Sequence, residues 1–468
     1  PIGVPRLFIG HTRALRCGPR SVATYKTGAR MFRLGPKKGS NFPNADRLPA
    51  PDLIVYAGDT QVRDEQRVGA FHHHLAAGRR FEFRGLPVGF EGEAIESDFV
   101  LSLFIEPSRL DPLADAVLAM RKQGRSLTLI VAMKPSQLLS YGRWLERRAN
   151  EHRLGGMHLL LAADLDGVSA QLGERMSPVR EDNVIRMPMT TEVENQSWRN
   201  FYVFSPRLQS LVTRVRAFAE NGIHRAYLLG GPGSGKTSLA YYYFLVRNKG
   251  RFVSVNLAAE NTGDKSSVKS LLCGHVAGAF PGAGSRIGAF TQARDGVCFL
   301  DESHGVMGPV MEVLMEALDN GQYLPFGAAA KQRLDCALLF ATNRSWQHLL
   351  DSVNIDEFTR LGAATLQVPE LAQREEDMIA VTATTLARLS ANVTTWKAPV
   401  GLDDDAWERI RQCRWHGNAR ALVRTLEAAF VDACSRGETL IPAHDIESGI
   451  ALWEPKDHHS HKIYGTNG

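Results

Sequence analysis

Residues 225–243 read Arg225-Ala-Tyr-Leu-Leu-Gly-Gly-Pro-Gly-Ser-Gly-Lys-Thr-Ser-Leu-Ala-Tyr-Tyr-Tyr243, and the rest of the chain is organised around them. Gly230, Gly235, Lys236 and Thr237 fit the spacing G-x-x-x-x-G-K-[ST]. An apolar run that reads as a buried strand precedes it, and a helix-forming run follows. Small residues at this spacing let successive backbone N–H groups close around phosphate oxygens at a helix N-terminus, where the dipole also favours negative charge. Gly230, Gly231, Gly233, Ser234, Gly235, Lys236, Thr237 and Ser238 are therefore the expected phosphate cradle. Lys236 is expected to reach the β- and γ-phosphates of ATP, and Thr237 to ligate Mg²⁺.

A second strand completes the pattern. Gly296-Val-Cys-Phe-Leu-Asp-Glu302 is apolar and ends in two carboxylates, with Asp301 65 residues after Lys236. Asp301 is expected in the Mg²⁺ shell, and Glu302 as the group that polarises the attacking water. Ala337–Asn343 is a further core strand, with Asn343 placed to sense the γ-phosphate, and Phe252–Asn256 is another that ends in Asn. The fold class that follows is α/β, a parallel-sheet P-loop ATPase core preceded by another α/β domain.

The 468 residues allow two or three domains, and 44% hydrophobic with 22% charged side chains is an ordinary globular composition. We find no apolar run long enough for a bilayer, so no membrane partner is expected. The first residues lack the charged-then-apolar order of a secretory signal. Six scattered cysteines, none in a C-x-x-C pair, indicate reduced and mostly buried thiols, so the expected compartment is cytoplasmic. The net charge of +5 is uneven, because residues 1–50 carry ten basic side chains and one acidic. That segment could hold a nucleic-acid backbone or be a solvated basic surface.

Residues 51–190 read as an α/β sensor or interaction domain with a mainly parallel sheet. Its strands are expected at Leu53–Tyr56, Phe99–Ile105, Leu127–Met133, Met157–Ala162 and Val184–Met187, and its helices at Pro112–Lys122 and Ser136–His152. Ligands of such sheets lie beyond the carboxyl ends of the strands, which singles out Gly58-Asp59, Lys134-Pro135 and Asp164-Leu165-Asp166. Lys-Pro after one strand and acids after others resemble a phosphoacceptor receiver, but an acid-bearing strand follows Lys134-Pro135, which is the wrong order. His72-His73-His74 and His458-His459-Ser460-His461 lack a Cys or carboxylate partner at ligand spacing and read as surface histidines. Residues 191–200 are polar and aperiodic and read as a linker. An ATPase core over 201–374, a helical lid over 375–453 and a tail over 454–468 follow.

From Phe201 to Trp453 the chain resembles a known family, the AAA+ domain of the bacterial activators of sigma-54 RNA polymerase. Ser205-Pro-Arg-Leu-Gln209 is similar to the family's opening helix, and Val253-Ser-Val-Asn-Leu-Ala-Ala259 to its Val-Asn-Cys-Ala-Ala strand. The resemblance implies that Asn256 restrains Glu302 until the target is engaged. Leu272-Cys-Gly-His-Val-Ala-Gly-Ala-Phe-Pro-Gly-Ala283 resembles L-F-G-H-x-x-G-A-F-T-G-A, the loop that presses on the sigma factor. Gly278, Ala279, Phe280, Pro281, Gly282 and Ala283 then form the partner-contact tip, and its apolar, Gly-rich character is unusual for a solvent loop. Gly321–Gly327 resembles the second inserted hairpin. Trp415-His-Gly-Asn-Ala-Arg-Ala-Leu422 resembles W-P-G-N-V-R-E-L, which implies that Arg420 senses nucleotide from the lid. Alignment backwards from Val368 places Arg360 as an arginine finger acting in trans, and hence implies a homo-oligomeric, hexameric ring.

Four departures accompany the resemblance, the first being a phosphate loop that reads Gly231-Pro-Gly-Ser-Gly-Lys-Thr237 rather than the family's usual Gly-Glu-Ser-Gly-Thr-Gly-Lys-Glu. Pro281 replaces a Thr, Asn354 stands where the family has another arginine, and the 15 residues after Trp453 are too short for the usual helix-turn-helix. Two functions remain open at this level: remodelling of a sigma-54 RNA polymerase complex through Phe280, or remodelling of another protein client under control of the N-terminal α/β domain.

Overall fold

Uninterrupted apolar runs become strands that are covered on both sides. The computed structural model describes residues 51–57, 80–86, 95–187, 200–257, 265–303, 307–344 and 364–454. The expectations placed on residues 1–50, Gly58-Asp59, both histidine groups, Asn354 and Arg360 lie outside the described residues.

β1 (Leu53–Ala57), β2 (Phe81–Gly85), β3 (Phe99–Leu103), β4 (Thr128–Met133) and β5 (Met157–Leu161) pair in parallel in the order β2-β1-β3-β4-β5. This is the flavodoxin-like order, which receivers also share. β1, β4 and β5 are buried along their whole length, and this is why they read as continuous apolar runs. α1 (Pro107–Lys122), α2 (Leu138–Asn150) and α3 (Leu165–Arg175) complete the layer. β2 escaped the sequence reading because Phe-Glu-Phe-Arg-Gly is a partly exposed edge strand. Asp164 is the N-cap of α3, its carboxylate accepting from Gly167 N at 2.8 Å. Lys134 lies over the Phe104 ring, 5.2 Å from its centroid.

Val184–Met187 departs from the expected placement. β6 (Val184–Arg186) pairs antiparallel with β7 (Asn200–Tyr202) instead of extending the parallel sheet. Ile185 and Met187 bury among Val203, Leu208 and Leu228 of the following layer, so apolar packing draws this strand away. Asn200, read as the end of a linker, is a strand residue.

The second sheet holds β8 (Arg225–Leu229), β9 (Phe252–Asn256), β12 (Val297–Asp301), β15 (Ala337–Thr342) and β16 (Ala364–Gln367), all parallel, in the order β16-β8-β15-β12-β9. α4 (Pro206–Glu220) starts at Ser205, whose side chain accepts from Leu208 N, with Pro206 in the first turn, where its missing N–H costs nothing. α5 (Lys236–Arg247) follows β8 directly. Between β9 and β15 come α6 (Lys265–Cys273), the ribbon of β10 (Gly274–His275) and β11 (Arg286–Ile287), α7 (Ala289–Gln292), α8 (Met307–Asn320) and the hairpin of β13 (Gln322–Tyr323) and β14 (Gln332–Arg333).

α9 (Glu375–Asn392), β17 (Gly401–Leu402), α10 (Asp404–Gln412), α11 (Asn418–Arg436), β18 (Leu440–Ile441) and α12 (Ala443–Trp453) form the helical lid. A single hydrophobic cluster runs from Val131 and Leu159 of the first sheet through Tyr141 and Trp144 of α2 to Ile379, Ala383, Trp415 and Leu426 of the lid. α2 approaches α9 so closely that a Cβ on Gly142 would stand 1.9 Å from the Ala383 carbonyl oxygen. Leu139 N also donates to Val400 O at 3.0 Å. The first α/β layer is thus packed on the lid, a contact absent from the sequence reading.

Candidate nucleotide site

The loop between β8 and α5 takes its shape from glycines. Gly233 and Gly235 have φ of +67° and +104°, and a Cβ on them would meet Gly417 O at 2.6 Å and the Phe201 ring at 2.4 Å. Only glycine fits both the dihedral and the space. Lys236 opens α5 and is buried, its Nζ donating to Gly230 O at 2.9 Å and Gly231 O at 3.1 Å. Burial lowers its pKa, and the carboxylates of Asp301 and Glu302 oppose that shift.

β12 delivers the acids. Its register with β9 sets Asp301 opposite Asn256, and Asp301 Oδ1 accepts from Glu302 N at 2.9 Å. Glu302 has φ +52°, a left-handed conformation that is strained for a non-glycine residue. Burial first, and the Asp301 charge second, push its carboxyl above the ordinary value. At the next strand, Gly230 N donates to Thr342 O at 3.3 Å, which brings Asn343 beside the start of the loop.

A cavity of about 400 Å³ collects Gly233, Ser234, Gly235, Lys236, Thr237, Ser238, Asp301, Glu302 and, from α11, Arg420. Gly230, Gly231, Asn256 and Asn343, at the ends of β8, β9 and β15, are not on its wall. Its residues fit a polyphosphate. The buried Ser234 Oγ has no hydrogen-bond partner among the described residues, and the buried Lys236 ammonium stands in the same loop.

The cavity also has walls that the sequence reading missed: Asn200, Phe201 and Tyr202 of β7, Leu371 in the short turn before α9, Arg374 and Asp377 at the start of α9, and Val423, Arg424 and Glu427 of α11. Arg374 and Asp377 carry no motif of their own in the sequence. Asn418, quoted within a motif but given no role, joins loop to lid. Its Nδ2 donates to Pro232 O at 3.1 Å, and its Oδ1 accepts from Leu371 N at 2.8 Å. Glu454 accepts from Gly417 N at 2.6 Å and His416 N at 3.0 Å, and so holds the turn before Arg420.

The Gly278–Ala283 tip closes with Gly278 N donating to Ala283 O at 3.0 Å and Ala283 N to Phe280 O at 2.9 Å, with φ near +79° at Gly278 and +78° at Gly282. Phe280 is 43% exposed, its ring 5.0 Å from His275 and 6.2 Å from Phe326. Val276 N donates to Phe326 O, and Phe326 N to Gly274 O, so the two inserted ribbons clasp each other.

The sigma-54 interaction domain is matched by residues 202–367. The chain is 30% identical over 389 residues to the DNA-binding transcriptional regulator NtrC of Bradyrhizobium sp. (strain RP501 Parasponia), covering 80% of this chain and 75% of that one. The chain belongs to the family of sigma-54-dependent activators. This sigma-54 activator is also 28% identical over 303 residues to the Nif-specific regulatory protein of Azorhizobium caulinodans, covering 63% of this chain and 48% of that protein. It thus spans about half the length of that relative. The solved structure of NtrX from Brucella abortus aligns over 88% of both chains at 18% identity and a TM-score of 0.48. Among the described residues, no helix is long and apolar enough to cross a membrane.

Proposed function

We propose that this sigma-54 activator hydrolyses ATP and uses the cycle to move its Phe280 tip against a sigma-54 RNA polymerase complex. The observation that carries the proposal is the meeting, in one cavity, of Lys236 with Asp301, Glu302 and Arg420, in a chain matched to the sigma-54 interaction domain. Backbone N–H groups of the loop and the Lys236 ammonium bind the β- and γ-phosphates in a site where field strength is high. Glu302 takes the proton of the attacking water as its oxygen bonds to the γ-phosphorus and the bond to the bridging oxygen breaks. Mg²⁺, held by Thr237 and Asp301, would supply charge neutralisation. Asn256, opposite Asp301, restrains Glu302, while Asn343 senses the γ-phosphate and Arg420 senses nucleotide from the lid. Arg360 completes the site from a neighbouring copy in a ring, and the basic charge of residues 1–50 suits a nucleic-acid backbone.

Nucleotide binding and turnover by wild type, Lys236→Ala and Glu302→Gln test the assignment. Lys236→Ala is expected to lose ATP binding, and Glu302→Gln to bind ATP and hardly hydrolyse it. Sigma-54 should be captured by wild type in ADP with aluminium fluoride. Equal affinity of Lys236→Ala and wild type for ATP would remove the basis of the site, and no capture by assembled rings would remove the partner.

A further inference from the structure

The lid helix α9 begins with a turn in which neighbouring residues face three different parts of the chain. Glu376, 1% exposed, points at the first α/β layer: its Oε2 is 2.9 Å from His158 Nδ1 and accepts from Leu159 N at 3.1 Å, both on β5. Its Oε1 lies 3.5 Å from Arg175 Nε, and Arg175 also reaches Glu375 at 3.2 Å. The other ring nitrogen of His158 is 2.8 Å from Ser177 O, so the imidazole is fixed at both ends. Asp377, the next residue, accepts from Phe204 N at 2.6 Å and from Ser205 N and Oγ, and so ties down the segment between β7 and α4. Arg374, 3% exposed, donates to Ser234 O of the phosphate loop at 3.2 Å.

Resting on the nucleotide reading above, we propose that Glu376 is a positioning residue through which the N-terminal α/β layer sets the first turn of α9, and with it the nucleotide cavity. Arg374 and Asp377 both line that cavity, whereas Glu376 and His158 do not. One helical turn is too stiff to let Glu376 shift without its neighbours. A buried carboxylate deprived of its donors cannot stay where it is at low cost. Loss of the β5 contact therefore moves Arg374 away from Ser234 O and Asp377 away from the β7–α4 segment. The converse holds by linkage: nucleotide closing the cavity tightens the hold of α9 on β5.

The test uses the full chain and a fluorescent ATP analogue. Glu376→Ala is expected to weaken nucleotide binding by about tenfold, a coupling of ordinary size for linked sites. Glu376→Gln keeps an oxygen to accept from Leu159 N and an amide that can pair with His158 Nδ1, and should recover most of the affinity. Glu146→Ala cuts a pair with Arg388 at 3.9 Å on the same interface, away from the first turn, and should leave affinity unchanged. On the unaltered protein, bound nucleotide should slow amide exchange across residues 157–161. A folded Glu376→Ala with wild-type affinity overturns the proposal. If that variant does not fold, the exchange experiment decides, and absence of protection at 157–161 overturns it equally. A wild type that binds no nucleotide removes the ATPase reading and this one together, whereas a wild type that binds without coupling removes only this one.

Discussion

Gly142→Ala gives opposite signs according to whether α2 is packed on the lid. Gly142 lies in the middle of α2 and is absent from the left-handed residues, so its backbone accepts alanine. In a helix free on that side, the change stabilises by about 0.5–1 kcal/mol, because glycine loses more backbone freedom on folding. Packed as described, the new Cβ would stand 1.9 Å from Ala383 O and 2.4 Å from its carbonyl carbon. These are backbone atoms of a buried helix with no rotamer to turn. Restoring an ordinary 3.4 Å contact requires α2 and α9 to separate by about 1.5 Å across a continuous core. Such overpacking costs about 1–3 kcal/mol. Set against the helical gain, the net expectation is a loss of up to about 2.5 kcal/mol. The thermal midpoint of the full chain should then fall by up to about 2.5 °C, at about 1 °C per kcal/mol for a chain of 468 residues. A midpoint that rises on Gly142→Ala would refute the packed arrangement.

Turnover should decline with acid at a higher pH than an exposed glutamate would produce. Burial and Asp301 raise Glu302 above 4.5, the base works only when ionised, and activity is lost as pH falls through the raised value; a kcat profile with its acid limb at or below 4.5 would refute this. The thiols of Cys273 and Cys336 are pushed up to about 12 by burial, and that of Cys298 well above its ordinary value. At pH 8 only about one in ten thousand is thiolate at such a pKa, so a disulfide reagent should leave all three unmodified until the protein unfolds. Phe280→Ala should preserve ATP turnover and abolish sigma-54 capture. The side chain is 43% exposed, so its loss should cost less than full burial of a Phe, below about 2 kcal/mol, and a variant that loses hydrolysis would refute the separation of tip from cavity.

Much of the second sheet was legible from sequence because its signals are local. Gly230 to Thr237 specify a turn by dihedral need and phosphate chemistry within eight residues, and an apolar strand ending in Asp301-Glu302 reads as buried wherever it sits. The same holds for β1, β4 and β5, whose continuous apolar runs report burial on both faces. Family likeness supplied what spacing could not, namely the Phe280 tip and Arg420. Other features depended on partners distant in sequence. β6 leaves the first sheet because Ile185 and Met187 find apolar cover beside Leu208, and nothing within Val184–Met187 encodes that choice. β2 was missed because an edge strand with one exposed side carries polar residues that mask its period. Arg374, Asp377 and Asn418 looked like ordinary polar residues until folding placed them beside Ser234, Ser205 and Pro232. The packing of the N-terminal layer on the lid uses one shared apolar cluster, a missing side chain at Gly142 and buried pairs such as His158 with Glu376, 218 residues apart. A sequence states which groups must be buried or hydrogen-bonded; which distant group satisfies each of them is decided only when the chain closes on itself.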